Sequence, residues 1–222
     1  IMSIRNEELL AEIDLTKFKG ILIDIDDTLY SYQPNHDRAI RDCYEYCKAN
    51  ETFEESFGVF NTHYRECRDR ITNSLIPLSA CRSRALAFDL LFTEFNFDFP
   101  YKKAIEYEAL YWKSFINKIE PHQYIIDFLE KCQSLEKIVC AVTDMQYLFQ
   151  SMKLEKMNTL GLINFLATSE EAGREKPHIE IFNLALSKMK LKANDVIMIC
   201  DSYKKDILGA RNSGLESVQL QV

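Results

Sequence analysis

Two aspartates stand two positions apart at the end of a short apolar run. Residues 20–29 read Gly-Ile-Leu-Ile-Asp-Ile-Asp-Asp-Thr-Leu, so the run ends in Asp24, Asp26 and Thr28. A run of this length and composition is typical of a buried strand. Two carboxylates at a strand end can bind a divalent cation, and one can attack phosphorus while the other transfers a proton. The pattern therefore predicts metal-assisted phosphate chemistry at this strand end.

Three later segments carry side chains that fit the same chemistry. Thr143 and Asp144 end a second apolar run, Lys176 follows a third, and Asp201 ends a fourth with Asp206 close behind. The carboxyl ends of parallel strands meet at one edge of a sheet, where open α/β folds bind their ligands. We therefore expect these distant residues to converge on one crevice.

Five short runs rich in Ile, Val and Leu predict the strands of that sheet. They cover Ile21 to Ile25, Lys137 to Val142, Asn164 to Thr168, Asp195 to Cys200 and Ser217 to Val222. From the second run onward they alternate with apolar residues at helical spacing. This alternation predicts an α/β fold, a doubly wound parallel sheet with helices on both faces.

The long interval between the first two strands has a different character. Residues 31–118 hold no convincing strand but several helical stripes, one of them Ile105, Ala109, Trp112 and Ile116. We predict an α-helical bundle inserted after the first strand. The expected domains are an α/β core of residues 1–30 and 119–222 and a helical domain of residues 31–118.

Composition excludes several classes of function. The chain has 222 residues, 47% of them hydrophobic, and a net charge of -7 without a basic run, which argues against a nucleic-acid partner. No apolar stretch approaches the ~18 residues of a membrane span. Seven cysteines without a Cys-x-x-Cys pair favour reduced thiols and a cytoplasmic protein. A monomer and a homodimer both remain open.

The order and spacing of these motifs resemble the haloacid dehalogenase superfamily, over the chain from Lys17 onward. The motifs are Asp24-x-Asp26-x-Thr28, Thr143, Lys176-Pro177-x-x-x-Ile181-Phe182-x-x-Ala185 and Asp201-Ser202-x-x-x-Asp206. The segments from Asp24 to Tyr30 and from Thr168 to Lys176 are most similar to its phosphatase branch, which includes pyrimidine nucleotidases and acylneuraminate phosphatases. The resemblance implies a Rossmann-type core, and the inserted bundle looks like the helical cap of that superfamily.

The resemblance also implies catalytic roles. Asp24 would attack phosphorus and form an aspartyl-phosphate. Asp26 would protonate the leaving oxygen and later take a proton from water, and we expect the crowded acidic site to raise its pKa. Thr143 and Lys176 would complete the catalytic set by contacting the phosphate oxygens.

Metal and substrate ligands follow in the same way. The superfamily places Mg²⁺ on the Asp24 carboxylate, the main-chain carbonyl of Asp26 and Asp201, with Asp206 in or just outside that shell. The substrate-binding set is Asp27 and Asp144, through their main-chain NH groups, together with Thr143 and Lys176. The expected substrate is a small phosphate ester, either a nucleotide or a sugar phosphate.

Three functions other than a phosphatase are compatible with the sequence. A dehalogenase of the same fold shares the aspartyl nucleophile but needs neither magnesium nor a second acid, and Asp26 argues against it. A phosphomutase is distinguished by an isomerised product. A non-catalytic phosphate- or partner-binding module would keep the fold, and Cys200, which stands where this phosphatase branch usually has Gly, is the feature that favours it. An exposed groove lined by the aromatic residues from Phe92 to Tyr101 would also favour partner binding.

The inserted helices carry further polar groups. Cys43, Cys47, His63 and Cys67 stand at helical spacing, where buried cysteines are commoner than a zinc site. His36 is either a solvated first-turn residue or a substrate contact. An arginine group is expected to form a solvated face, with one or two members able to reach an anionic substrate. Its members are Arg65, Arg68, Arg70, Arg82 and Arg84.

Overall fold

The chain forms two compact units. The computed structural model describes residues 5–221, so Val222, the predicted end of the last strand, lies outside the described residues. One unit, here called the core domain, comprises Ile1–Ser31 and Glu120–Val222. The other, here called the helical domain, is Tyr32–Ile119. The helical domain thus interrupts the core domain once.

A five-stranded parallel sheet forms the centre of the core domain. Its strands are β1 (Gly20–Ile23), β2 (Ile138–Thr143), β3 (Phe165–Thr168), β4 (Val196–Cys200) and β5 (Glu216–Gln219). They lie in the order β3-β2-β1-β4-β5. The predicted parallel α/β sheet is confirmed. Because β1 pairs with both β2 and β4 in parallel register, the ends of these three strands lie side by side.

Helices cover the sheet and build the inserted unit. In the core domain they are α1 (Asn6–Ala11), α6 (Gln123–Ser134), α7 (Tyr147–Lys156), α8 (Ser169–Ala172), α9 (Ile179–Met189) and α10 (Leu208–Asn212). In the helical domain they are α2 (Tyr32–Asn50), α3 (Phe57–Leu75), α4 (Arg84–Glu94) and α5 (Pro100–Asn117). None of these helices within residues 5–221 combines the length and apolar character needed to cross a bilayer.

Close packing holds the last two motifs against each other. The core formed by β2, β4 and α9 includes the fully buried side chains of Phe182 and Cys200. Gly209, at the start of α10, permits this approach, because a Cβ atom there would lie 2.4 Å from the Phe182 ring and 3.1 Å from the Pro177 Cα. This packing brings Asp206, three residues before Gly209, next to Lys176.

Aromatic side chains fill the interior of the helical domain. Tyr107, Tyr111 and Phe115 recur every fourth residue on α5 and are all fully buried. The predicted stripe is wrong in part, because Ile105 is 66% exposed and Ala109 also lies on the solvent face. Apolar area decides the orientation of α5, since three aromatic rings bury more surface than one Ile and one Ala.

The cysteines of the helical domain lie in its interior. The only residues of 5–221 that gather three potential metal-ligand side chains lie in the core domain, so the zinc alternative finds no support at Cys43, Cys47, His63 and Cys67. Phe92 is fully buried, and Phe95 and Phe97 pack against Phe53, whereas Phe99 and Tyr101 are exposed. The first three aromatic residues of the segment therefore contribute to the interior, and the last two lie at the surface.

Candidate active site

The segment after β1 makes a tight turn that separates two acidic side chains. The Asp24 NH still donates to the Ile199 carbonyl at 3.0 Å, so Asp24 is anchored in the sheet. The NH groups of Thr28 and Leu29 both donate to the Ile25 carbonyl. Asp27 has a φ of 62°, in the left-handed region that residues with a side chain adopt rarely. This turn separates the carboxylate of Asp24 from that of Asp26.

Lys176 lies between two buried carboxylates. Its ammonium is 2.7 Å from Asp24 Oδ1 and 2.6 Å from Asp206 Oδ1, and it donates to the Val142 carbonyl at 3.2 Å. The Lys176 backbone NH donates to Asp144 Oδ1 at 2.8 Å. Three distant segments therefore meet at one buried cation.

A cluster of three carboxylates lies beside that cation. Asp24, Asp201 and Asp206 each offer an oxygen within 4.8 Å of the others, and Asp201 Oδ1 accepts from the Thr28 hydroxyl at 3.1 Å. Burial raises the pKa of Asp24 to about 7, although Lys176 opposes the rise. Burial and then the charge of Asp24 raise the pKa of Asp201 to about 6. The cluster thus holds more negative charge than Lys176 offsets.

The donor set of this cluster fits a divalent cation. Asp206 pairs with Lys176 through Oδ1, whereas its buried Oδ2 receives no hydrogen bond. Clustered carboxylate oxygens are the ligands that Mg²⁺ prefers, and two positive charges would balance the excess of the three carboxylates over one ammonium. The residues that could hold such an ion are Asp24, Asp201 and Asp206.

Asp26 belongs to a separate, positively charged environment. Its Oδ1 forms an ion pair with Lys153 Nζ at 2.6 Å and accepts from the Tyr30 hydroxyl, and its Oδ2 accepts from Gln150 Nε2 at 3.1 Å. Burial favours a higher pKa for Asp26, but Lys153, Tyr30 and Gln150 together lower it below its ordinary value. The expectation of a raised pKa at Asp26 is therefore wrong. A fully buried ammonium outweighs the nearby carboxylates.

Gln150 links the second motif to Asp26. Its Nε2 donates to Thr143 Oγ1 at 2.7 Å and to the Asp144 carbonyl at 2.9 Å. The Asp144 carboxylate forms a further ion pair with Lys205 Nζ at 2.7 Å. Thr143 is buried at the end of β2, and this network fixes its hydroxyl next to the Asp26 group.

Sequence reasoning did not find Gln150, Lys153 or Lys205. The signal for the first two was their spacing, because they stand three apart on the buried face of α7, the helix that directly follows Thr143 and Asp144. Polar residues on the apolar face of a helix are rarely buried without a partner. Lys205 gave no such signal, since it stands between polar residues in the segment after Ser202.

Cys200 does not enter the carboxylate cluster. Its side chain is fully buried in the core beneath α9, with Sγ 3.7 Å from the Val218 carbonyl oxygen. Burial raises the pKa of this thiol far above its ordinary value, so it stays protonated. The one sequence feature that favoured a non-catalytic module therefore has a packing explanation.

Comparison with known proteins agrees with the fold and motifs described above. Residues 18–214 match the family of haloacid dehalogenase-like hydrolases. This match extends over most of the chain and includes every motif of the cluster. The chain belongs to the haloacid dehalogenase-like hydrolases.

Curated relatives of this hydrolase include phosphatases of archaea. It is 27% identical over 202 residues to the ribulose-1,5-bisphosphate 5-phosphatase of Halopiger xanaduensis, a match that covers 90% of this chain and 83% of that protein. It is 26% identical over 205 residues to the glyceraldehyde 3-phosphate phosphatase of Methanocaldococcus jannaschii, covering 91% and 84%. This chain is therefore similar to these phosphatases over nearly its whole length.

Solved structures show the same fold. The 2-haloacid dehalogenase from Pseudomonas syringae pv. Tomato DC3000 superposes with a TM-score of 0.74 at 18% identity, covering 91% of this chain and 86% of that chain. The phosphatase of the same superfamily from Thermococcus onnurineus superposes with a TM-score of 0.61 at 19% identity, covering 91% and 86%. Identities this low establish the fold, which is the doubly wound α/β sheet with an inserted helical bundle.

Divalent-cation binding is expected to stabilise this hydrolase. Saturating Mg²⁺ should raise the melting temperature by roughly 5 °C over the value in EDTA, because the ion offsets repulsion among the three carboxylates. Scanning fluorimetry measures the shift. Asp201→Asn should reduce it, whereas Asp127→Asn, which removes an exposed carboxylate of the same domain, should retain it. Equal shifts in both variants would place the ion elsewhere.

The lysine beside Asp26 should control the pH dependence of the hydrolase. Lys153 favours the ionised form of Asp26, so Lys153→Met should raise the pKa of Asp26 and keep its proton in place to higher pH. We expect the alkaline limb of the kcat/KM profile to move up by about one pH unit. Lys156→Met changes an exposed lysine of the same helix and should leave the limb in place. An unmoved limb in both variants would contradict the pairing.

Proposed function

We propose that this hydrolase is a Mg²⁺-dependent phosphatase that cleaves a small phosphorylated metabolite through an aspartyl-phosphate intermediate. The observation that supports it best is the pair of contacts made by Asp24. This carboxylate lies 2.7 Å from the Lys176 ammonium and also belongs to the three-carboxylate cluster. The Lys176 ammonium next to this nucleophile can stabilise the negative phosphate oxygens that approach it.

In the first step, an Asp24 oxygen forms a bond to phosphorus while the bond from phosphorus to the leaving oxygen breaks. Asp26 gives its proton to that oxygen, which leaves as an alcohol. Asp26 is paired with Lys153 in the resting structure, so it must take up this proton against the pull of the ammonium. The proton-transfer role of Asp26 therefore depends on how tightly Lys153 holds it.

In the second step, water attacks the phosphorus of the aspartyl-phosphate. Asp26 accepts a proton from this water, the bond between phosphorus and the Asp24 oxygen breaks, and inorganic phosphate leaves. The Asp24 carboxylate and the protonated Asp26 are thereby regenerated. Two displacements replace one difficult hydrolysis, which is the general advantage of a covalent intermediate.

Positive charge and hydrogen-bond donors would hold the phosphate. Lys176 supplies a buried ammonium, Thr143 a hydroxyl, and Asp27 and Asp144 main-chain NH groups. Mg²⁺ bound by Asp24, Asp201 and Asp206, and by the main-chain carbonyl of Asp26, would neutralise charge on the transferred group. Lys205, 2.7 Å from Asp144, adds positive charge next to the same loop.

The relatives favour a sugar phosphate over a nucleotide as substrate. Both phosphatases named above are named for phosphorylated sugars of three or five carbons, and each match covers nine-tenths of this chain. All seven cysteines are free and buried, as is typical of proteins in a reducing compartment, and this supports a cytoplasmic location. A nucleic-acid partner is not expected, since the net charge is -7.

A substrate panel tests this proposal. We expect phosphate release from ribulose 1,5-bisphosphate or glyceraldehyde 3-phosphate in the presence of Mg²⁺, with kcat/KM at least about tenfold above that for nucleoside monophosphates. EDTA should remove the activity. Preferred hydrolysis of nucleotides would contradict the substrate class. No release from any ester, with the protein folded and Mg²⁺ present, would contradict the phosphatase assignment.

A further inference from the structure

A cavity lined by arginines lies inside the helical domain. Its volume is about 1010 Å³, and its wall is formed by α2, α3 and the segment from Arg82 to Arg84. Six arginines line it, namely Arg38, Arg41, Arg65, Arg68, Arg82 and Arg84. Two acidic residues, Asp37 and Asp69, line it as well. The wall therefore carries a formal excess of four positive charges.

Arg84 is built into the wall of this cavity. Only 4% of it is exposed, and its guanidinium lies 5.0 Å from the ring centre of Tyr111 and 5.6 Å from that of Trp112. Its Nη2 donates to the Tyr32 hydroxyl, while its buried Nε has no hydrogen-bond acceptor. The expectation of a solvated arginine face is therefore wrong for Arg84. Its guanidinium is fixed in place and keeps one unused donor.

Arg68 is fixed in a similar way. Its Nη1 donates to the carbonyls of Cys81 and Ser83 at 3.1 and 3.2 Å. Burial, and then the charge of Arg84, lower the pKa of Arg68 to about 10. Two guanidinium groups are thus held near each other although their charges repel. Arg70, by contrast, lies outside the cavity wall, is exposed and pairs with Glu94, as a solvated face predicts.

The charge of this wall is largely uncompensated by acidic side chains. Within residues 5–221, no ion pair with a carboxylate is formed by Arg38, Arg41, Arg65, Arg68 or Arg84. His36 lies against the same wall, and burial followed by the charges of Arg84, Arg68 and Arg65 lowers its pKa to about 3. The imidazole is therefore neutral, with Nδ1 2.8 Å from the Tyr111 hydroxyl.

The shape of the site limits the class of ligand. Clustered guanidinium groups bind phosphate oxygens through paired, planar hydrogen bonds. The cavity is concave and has the volume of a small-molecule pocket, whereas a nucleic-acid strand needs an extended basic surface, and this chain has a net charge of -7. A small, multiply charged phosphate compound matches both the charge and the volume.

We propose that this cavity of the helical domain is a second binding site, which takes the phosphate group of a small polyanion. Arg65 and Arg41 supply its exposed contacts, Arg68 supplies a half-buried one and Arg84 a buried one. The phosphate belongs to a separate effector molecule, so its binding does not depend on the proposed phosphatase function.

Calorimetry with inorganic pyrophosphate tests the binding site. The full-length protein is kept in EDTA, so that the metal-free carboxylate cluster of the core domain repels the anion. We expect binding to the wild type and about tenfold weaker binding to Arg65→Gln and to Arg41→Gln, the loss of one charged hydrogen-bonding group. Arg70→Gln removes the same charge from α3 outside the cavity and should bind within about twofold of the wild type. No binding, or equal binding to all four proteins, would overturn the proposal.

The pKa of His36 provides a second measurement of anion binding at the same site. A bound anion offsets the surrounding guanidinium charges, so pyrophosphate should raise the pKa of His36 in an NMR titration. The shift should be smaller in Arg65→Gln than in Arg70→Gln. A His36 pKa that does not respond to bound pyrophosphate would place the anion outside this cavity and overturn the assignment.

Kinetics with Mg²⁺ then tests whether the bound phosphate compound acts as an effector. Pyrophosphate should change the rate of phosphate release from ribulose 5-phosphate in the wild type, and Arg65→Gln should reduce that response. No response, or an equal response in both proteins, would overturn the assignment to an effector. Absence of phosphatase activity would count against the proposed function and leave the calorimetric test unaffected.

Discussion

Asp24→Asn is expected to lower the rate of phosphate-ester hydrolysis by at least ~10⁴-fold, because an amide cannot serve as the attacking carboxylate. The melting temperature should stay the same or rise. Asp24 carries one of three clustered carboxylates, and its pKa is raised by burial, so its charge costs folding free energy in the absence of a metal. Steady-state phosphate release and scanning fluorimetry in EDTA measure the two effects.

Asp127→Asn is the matched control for this variant. It makes the same chemical change at an exposed position of the core domain, and it should alter neither rate nor melting temperature. If Asp24→Asn keeps its rate within about tenfold of the wild type, Asp24 is not the nucleophile. If it unfolds while Asp127→Asn does not, the carboxylate has a structural role that the geometry does not indicate.

Lys176→Met is expected to impair both stability and activity. The substitution leaves the carboxylates of Asp24 and Asp206 buried without their shared cation, which should lower the free energy of unfolding by about 3–5 kcal/mol. The rate should fall at least ~10³-fold, because a charged donor to the phosphate oxygens is lost. Denaturant unfolding and kcat/KM measure the two losses.

A second substitution separates these two losses. Asp206→Asn in the Lys176→Met background removes one of the unpaired carboxylates, so it should restore part of the stability without restoring the rate. Lys204→Met, an exposed lysine of the last motif, should affect neither quantity. Recovery of activity in the double variant would show that Lys176 acts on stability alone.

The strands of the sheet were predictable because their signal is local. Each apolar run has strand length, and the observed strands begin or end within a few residues of the predicted ones. Their order in the sheet was not predictable from the runs themselves. The placement of β1 between β2 and β4, which brings Asp24 next to Lys176 and Asp201, depends on pairing between distant segments.

The environment of Asp26 shows where sequence reasoning fails. The neighbouring aspartates predict a raised pKa, whereas the decisive charge comes from Lys153, 127 positions further along the chain. Electrostatic effects fall off with distance in space and not with separation in sequence. A neighbouring motif therefore could not reveal which charge dominates at this carboxyl.

The burial of Arg84 in the helical domain also could not be predicted from neighbouring residues in the sequence. A run of charged residues on helices is usually solvated, yet Arg84 is covered by the Tyr111 and Trp112 rings of α5. The orientation of α5 decides this, and aromatic residues set that orientation against the predicted stripe through Ile105. Because the buried face of α5 was predicted wrongly, the burial of Arg84 was missed.

The most direct test of the central claim is to look for the covalent intermediate. The protein is mixed with Mg²⁺ and a phosphate ester that it hydrolyses, and the reaction is quenched in acid within one turnover. The protein is then digested and analysed by tandem mass spectrometry. The proposal predicts one added phosphoryl group on the Asp24 carboxylate, and none in Asp24→Asn. A phosphoryl group on another residue, or turnover without any labelled Asp24 peptide when the quench precedes product release, would contradict it.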